Sequence, residues 1–269
     1  MAGRATGTPG NEAARAYIEA AFRSAALRPL YGGSLRQPFS MPNIGMPTTA
    51  ANVVAYAPGS ERQGLYIVVT AHFDHLGSRD GEIYFGADDN ASGTAALIEL
   101  GRHFGVHPPR NSIVFAAFDA EERGLLGARA FVENPPVPLD SIALVINMDM
   151  IGRNDRRELY VAGTHPYPFL SRVVDEVAEK SRLLIRKGHD RPDGSAGDDW
   201  TQASDHGPFH EAGIPFLYFG VEDHEDYHRP TDTFEGIQPG FFIEAIRSVE
   251  TAIESADARL EEIHAASGR

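Results

Sequence analysis

Leu65-Tyr66-Ile67-Val68-Val69-Thr70-Ala71 is apolar at nearly every position. A half-exposed strand would alternate, so this run reads as a strand buried on both faces. Asn111-Ser112-Ile113-Val114-Phe115-Ala116-Ala117-Phe118 and Ile142-Ala143-Leu144-Val145-Ile146-Asn147-Met148 repeat the pattern, with helical spacing at 91–104 and 123–133 between the runs. Buried strands alternating with helices predict an α/β three-layer sandwich: a mixed, mostly parallel sheet with helices on both faces.

Working outward, Asn11 to Leu27 reads as a helix ended by Pro29, with Asn11 as its N-cap. Residues 31–50, rich in Gly, Pro and Ser, read as a loop, and Asn52 to Tyr56 as a short strand. Toward the C-terminus, Glu158 to Ala162 reads as an added strand, Tyr167 to Ser181 as a helix, Ile214 to Phe219 as a fourth buried strand and Phe241 to His264 as one closing helix. Residues 188–204, with three Gly, four Asp and Trp200, read as a surface loop that could line a pocket. No linker or repeat divides the chain. The expectation is one catalytic domain over 1–269, with a lead-in at 1–50 and a core at 51–269.

The 269 residues carry 38 acidic against 24 basic side chains, a formal charge of -14. That disfavours nucleic acid or an anionic membrane surface as partner. Cysteine is absent, which removes disulfides, thiol nucleophiles and thiolate metal sites. Any metal must be held by His, Asp and Glu. No apolar run approaches the roughly 20 residues of a membrane span, and the first residues lack a signal-peptide apolar stretch. The chain therefore reads as cytosolic, or as a mature form whose leader was removed.

In open α/β sheets, ligands bind outside the carboxyl ends of the strands. There the sequence places His72-Phe73-Asp74, then Asp119-Ala120-Glu121-Glu122, Asp149, and a polar stretch ending in His228. Gly86-Ala87-Asp88-Asp89-Asn90-Ala91-Ser92-Gly93 opens the helix at 91–104, with Asp88 as its expected cap. Singly, each is an ordinary strand end or helix cap. Together, crowded carboxylates repel one another unless cations sit among them. Hard oxygen and imidazole donors suit Zn2+, Co2+ or Mn2+, and a pair would lie about 3.5–4 Å apart. Glu121, beside a ligand but aimed elsewhere, is then the free general base, and Asp74 the group that orients His72.

The ordered set Ala71-His72-Phe73-Asp74, Gly86 to Gly93, Ala120-Glu121-Glu122-Arg123-Gly124, Asn147-Met148-Asp149-Met150, Ser204-Asp205-His206 and Tyr227 to Asp232 resembles a known family. It is that of the co-catalytic di-zinc aminopeptidases of clan MH, metallopeptidase family twenty-eight, and Gly7-Thr8-Pro9-Gly10-Asn11 resembles its lead-in. The resemblance implies the zinc-exopeptidase fold and two Zn2+ per chain. It implies that Asp89 bridges them, that His72 and Asp149 complete one site, and that Glu122 and His228 complete the other. A metal-bridging hydroxide would attack the peptide bond with Glu121 as base, releasing N-terminal residues from a peptide substrate. The resemblance further implies a cis Asp89-Asn90 bond. It places His206 where relatives steady the oxyanion, although a plain helix-start histidine beside Gly207-Pro208 fits as well. Relatives are often exported, which favours a periplasmic or secreted location over a cytoplasmic one.

Three other functions stay open on the same sequence: a carboxypeptidase or dipeptidase, a glutaminyl-cyclase-like enzyme, and a non-catalytic binding module stabilised by metal. His224-Glu225-Asp226-Tyr227-His228 also matches the His-Glu-x-x-His zinc motif, but that motif needs a helix. Gly220 and Pro230 bracket the pentapeptide and argue against one. His224 then reads as a surface or pocket-rim residue. His75, His103, His107, His165, His189, His210 and His264 have no partners at ligand spacing and read as structural or solvated.

Overall fold

The computed structural model describes residues 2–41, 49–191 and 198–269. In chain order its main elements are α1 (Pro9–Ser24), β1 (Arg28–Pro29), β2 (Arg36–Ser40), β3 (Thr49–Ala57), β4 (Tyr66–His72), β5 (Gly77–Arg79), β6 (Glu82–Tyr84), α2 (Gly93–Val106), β7 (Ser112–Phe118), α3 (Leu126–Glu133), β8 (Ile142–Asp149), β9 (Glu158–Ala162), α4 (Ser171–Lys180), β10 (Leu184–Lys187), α5 (His206–Glu211), β11 (Phe216–Gly220), α6 (Pro239–Asp257) and α7 (Leu260–Ala266). One large sheet runs β1-β3-β7-β4-β8-β11-β9-β10, with β2 also paired to β3. Its centre is parallel: β7, β4, β8 and β11 all run the same way, while β3 and β9 join antiparallel. The carboxyl ends of four buried strands therefore share one edge.

The absence of alternation in those strands has a direct cause. Ile67, Val69 and Ala71 face an apolar layer built with α1, α2, α4 and α6, while Val68 faces a second layer built with α3 and α5. Ile113, Phe115 and Ala117 repeat the first pattern, and Val114, Ala116 and Phe118 the second. Both faces of each strand are dry, so both must be apolar.

Several boundaries differ from the sequence expectation. The first helix starts at Pro9 and is capped by Thr8, whose hydroxyl accepts from Asn11 N at 3.3 Å. Asn11 is instead fully buried, and its amide donates to Asp119. The expected 31–50 loop contains β2, and residues 42–48 of it lie outside the described residues. The single closing helix is two, α6 and α7. The Asp257 carboxylate accepts from Arg110 N and Asn111 N at 2.8 Å each, tying the end of α6 to the start of β7. β10 and the β5–β6 hairpin lie outside the sequence expectation because they are only three or four residues long and mostly open to solvent, without a buried face. No described helix is long and apolar enough to cross a membrane.

Candidate metal centre

Each carboxyl end delivers one component. His72 is the last residue of β4, and Thr94 at the start of α2 donates to its carbonyl at 2.7 Å. Asp149 ends β8, where Ser204 Oγ donates to its Oδ2 at 2.7 Å. After β7, Ala120 takes a left-handed conformation (φ 58) and opens a single turn over Glu121–Arg123. Asp74 caps that turn, accepting from Glu121 N at 3.0 Å and Glu122 N at 3.3 Å. His228, also left-handed (φ 55), sits in a turn after β11.

Asp89 lies ahead of α2, and the Asp89–Asn90 bond is cis. Asp232 accepts from the backbone N–H groups of both Asp88 and Asp89. The expected cap role of Asp88 belongs to Asn90, whose Oδ1 accepts from Gly93 N at 2.9 Å. Asp88 turns away: its carboxylate accepts from Gly152 N at 2.6 Å and lies 3.1 Å from His224 Nε2. The segment 224–228 is not helical, which removes the His-Glu-x-x-His reading.

The donors form two lobes that meet at Asp89. His72 Nε2 lies 3.4 Å from Asp89 Oδ1 and 3.2 Å from Asp149 Oδ1, with Glu121 Oε2 at 3.9 Å. On the other side, His228 Nε2 lies 3.1 Å from Asp89 Oδ2 and 3.4 Å from Glu122 Oε2. All five expected ligand positions thus converge. His72, Asp89 and Asp149 are buried, while His228 remains partly open. Asp74 approaches His72 mainly through its backbone: His72 Nδ1 is 3.3 Å from the Asp74 carbonyl oxygen and 3.7 Å from its carboxylate, which holds the Glu121–Glu122 turn.

Two histidines differ from expectation. His75, which chain spacing leaves without a partner, is buried and not solvated, and its Nδ1 lies 2.8 Å from Glu122 Oε1. Spacing alone hid it, because His75 directly follows the His72-Phe73-Asp74 motif. His206 is buried behind the cavity wall: Nε2 donates to the Trp200 carbonyl at 2.7 Å, and its ring packs on Phe216 and Tyr218. It is not among the residues that line the cavity. Tyr227, stacked on His228 with centroids 3.9 Å apart, does line it and is a phenolic donor the sequence reading passed over.

The electrostatics follow from crowding. Burial and the carboxylates of Asp149, Asp205 and Asp74 raise the Glu121 pKa well above its ordinary value. Burial opposes the imidazolium of His72, yet Asp149 and Glu121 outweigh it and raise its pKa well above the usual range. The carboxylates of Asp89 and Glu122, within 3.4 Å of its Nε2, push His228 up to about 10. Burial lowers His206 to about 4. Asp89 Oδ2 and Glu122 Oε1 are buried without hydrogen-bond partners. Asp89 Oδ2, crowded by the Asp149 and Glu122 carboxylates, calls for an external cation. The groups His72/Glu121/Asp149 and His75/Asp89/Glu122 each bring ligand atoms within 4.8 Å of one another.

The cavity over this centre has a volume of about 240 Å3. Beyond the ligand set and Glu121, its wall includes Met150, Trp200, Tyr218, Val221, Tyr227 and Asp223, and among the described residues no Lys or Arg. Of the expected 188–204 loop, Trp200 and Ala203 reach this wall, whereas 192–197 lie outside the described residues.

An α/β sandwich with two carboxylate–imidazole lobes at its strand ends defines a class of hydrolase-like metal centres. Residues 52–252 match the family model described as peptidase family M28, and the chain belongs to that family. Aminopeptidase YwaD of Bacillus subtilis is 34% identical over 200 residues, covering 70% of this chain and 41% of the relative. The crystal structure of BSAP, a zinc aminopeptidase from Bacillus subtilis, superposes with a TM-score of 0.64 at 29% identity, covering 78% of this chain and 50% of that one. A Bacteroides thetaiotaomicron glutaminyl cyclase shares the fold at a TM-score of 0.75 and 18% identity, covering 93% and 91%. The chain spans about half the length of the curated relatives it matches, 57%, 49% and 41% of the first three.

Proposed function

We propose that this chain is a zinc-dependent aminopeptidase with two Zn2+ per chain. The observation that carries the reading is the division of Asp89, whose Oδ1 faces His72 and whose Oδ2 faces His228. A carboxylate between two imidazole-bearing lobes fits a bridging role between two divalent cations. His72, Asp149 and Asp89 would hold one; Glu122, His228 and Asp89 the other. Two lobes favour this over a one-metal cyclase. The names of the relatives, a zinc aminopeptidase and an aminopeptidase, support zinc and peptide as metal and substrate.

When bound, zinc supplies Lewis acidity, polarising the scissile carbonyl and making water acidic enough to attack near neutral pH. Glu121 takes the proton of the attacking water and passes it to the departing amine. Burial among carboxylates makes Glu121 a stronger base than a solvated glutamate. Among the described residues the cavity wall has no Lys or Arg to pair with a substrate carboxylate, whereas Asp223 at its rim suits an N-terminal ammonium. That charge pattern favours an aminopeptidase over a carboxypeptidase, and Glu121, beside the proposed ligands with Oε2 3.9 Å from His72 Nε2, favours catalysis over a purely structural metal.

The test compares leucyl anilide with its N-acetylated form on the zinc-loaded protein. The reading expects hydrolysis of the free amine and none of the blocked substrate. Equal cleavage of both, or of neither, would overturn it.

A further inference from the structure

Beyond the five ligand positions and the general base, His75 is a buried polar group at this edge that the metal reading leaves without a role. His75 is 1% exposed, and neither ring nitrogen has a hydrogen-bond partner among the described residues. Burying a polar group without a partner is costly, so the ring's placement needs a reason. The surrounding backbone is shaped to admit it. Gly86 has φ +56, and a Cβ there would fall 2.5 Å from His75 Cγ and 2.6 Å from Cδ2. The Arg4 carbonyl accepts from His75 N at 3.4 Å. The buried Arg4 guanidinium donates to the carbonyls of Phe73, Phe85 and Gly86, so both walls of the slot are tied to the N-terminal segment.

The two oxygens of Glu122 face different groups: Oε2 lies 3.4 Å from His228 Nε2, and Oε1 lies 2.8 Å from His75 Nδ1. We propose that His75 is a positioning residue for Glu122. Its Nδ1–H donates to Oε1 after a small rotation that aligns the pair, which fixes the carboxylate so that Oε2 stands beside His228 and Asp89. The other lobe is built on the same plan. Asp149 turns Oδ1 to His72 and accepts from Ser204 through Oδ2. In each lobe one carboxylate oxygen is left for the cation and the other is held by a side-chain donor, an arrangement that governs metal affinity.

The inference rests on the two-cation reading, and its test separates the two. Zinc is titrated, against a competing chelator, into metal-stripped wild type, His75→Leu and His75→Asn, and the Co2+-refilled proteins are compared by visible absorption. Asparagine places an amide N–H near the position of Nδ1 and is the variant to rely on if leucine misfolds. Zinc uptake by wild type tests the reading; the differences among variants test His75. The expected result is a loss of about 10- to 100-fold in affinity at one of the two sites in His75→Leu, with the other unchanged. His75→Asn should recover most of it with a Co2+ spectrum like that of wild type. Wild-type affinity at both sites in His75→Leu would overturn the proposal. So would a changed Co2+ ligand field in His75→Asn, which would mean that the imidazole binds the cation itself.

Discussion

Two buried carboxylates a short distance apart along the same sheet edge are treated in opposite ways. Asp119 is fully buried and fully answered by protein: Oδ1 accepts from Thr6, Asn11 and Ala120, and Oδ2 accepts from Ala51 N and from Arg15 at 2.6 Å. Asp89 is buried nearly as deeply, yet among the described residues its Oδ2 makes no hydrogen bond and faces the His228 imidazole, and its neighbours include Asp149 and Glu122. The sequence presents both as acids following apolar or glycine-rich stretches. What separates them is the helix α1, which brings Arg15 and Asn11 to one and not to the other. A carboxylate with its own arginine is architecture. One that faces imidazoles and further carboxylates is a seat for a cation.

That contrast can be broken from either side. The largest effect is expected at the uncompensated cluster, where Glu121→Gln keeps the planar shape of the carboxylate but cannot accept the proton. Turnover of leucyl anilide should fall about 100- to 10,000-fold with zinc content unchanged. Steady-state kinetics with metal analysis on the same sample checks this, and retained turnover would sink the role of Glu121.

At the compensated site the reaction should survive and the fold should suffer. Arg15→Leu leaves Asp119 buried without its cation, which should cost about 3–5 kcal/mol in urea unfolding. The loss should shrink in acid as Asp119, its pKa already raised by burial, takes up a proton.

A third probe is the histidine that the fold keeps neutral. Burial holds His206 at about 4 in the folded chain, below its unfolded value. The stability that follows from this is present above about pH 6.5 and is lost as pH falls through 4, amounting to about 3 kcal/mol. His206→Gln, which retains a donor for the Trp200 carbonyl, should flatten that part of the stability profile.

Much of this was legible in the sequence, for a physical reason. Strands dry on both faces must be continuously apolar, so Ile67 to Ala71, Ile113 to Phe118 and Ile142 to Met148 announced a covered sheet and located its polar edge. The five ligand candidates carried chain-order signatures, and the structure brings them together. What stayed hidden depends on contacts made across the chain. Arg15 lies 104 positions from Asp119, and His75 meets Glu122 only through the turn at 120–123. The wall that sets His206 behind Trp200 likewise depends on a loop whose path composition does not dictate. Short strands open to solvent, such as β10, carry no hydrophobic period to read.

The central claim is that the uncompensated cluster is a two-cation site hinged on Asp89. Its most direct test is the zinc stoichiometry of wild type and Asp89→Asn, measured by metal analysis after equilibration with zinc and removal of excess. The account predicts two zinc ions per chain in wild type and loss of both sites' tight binding in Asp89→Asn, with Arg15→Leu still taking up two when folded. No zinc in wild type, or the same stoichiometry in Asp89→Asn, would contradict it.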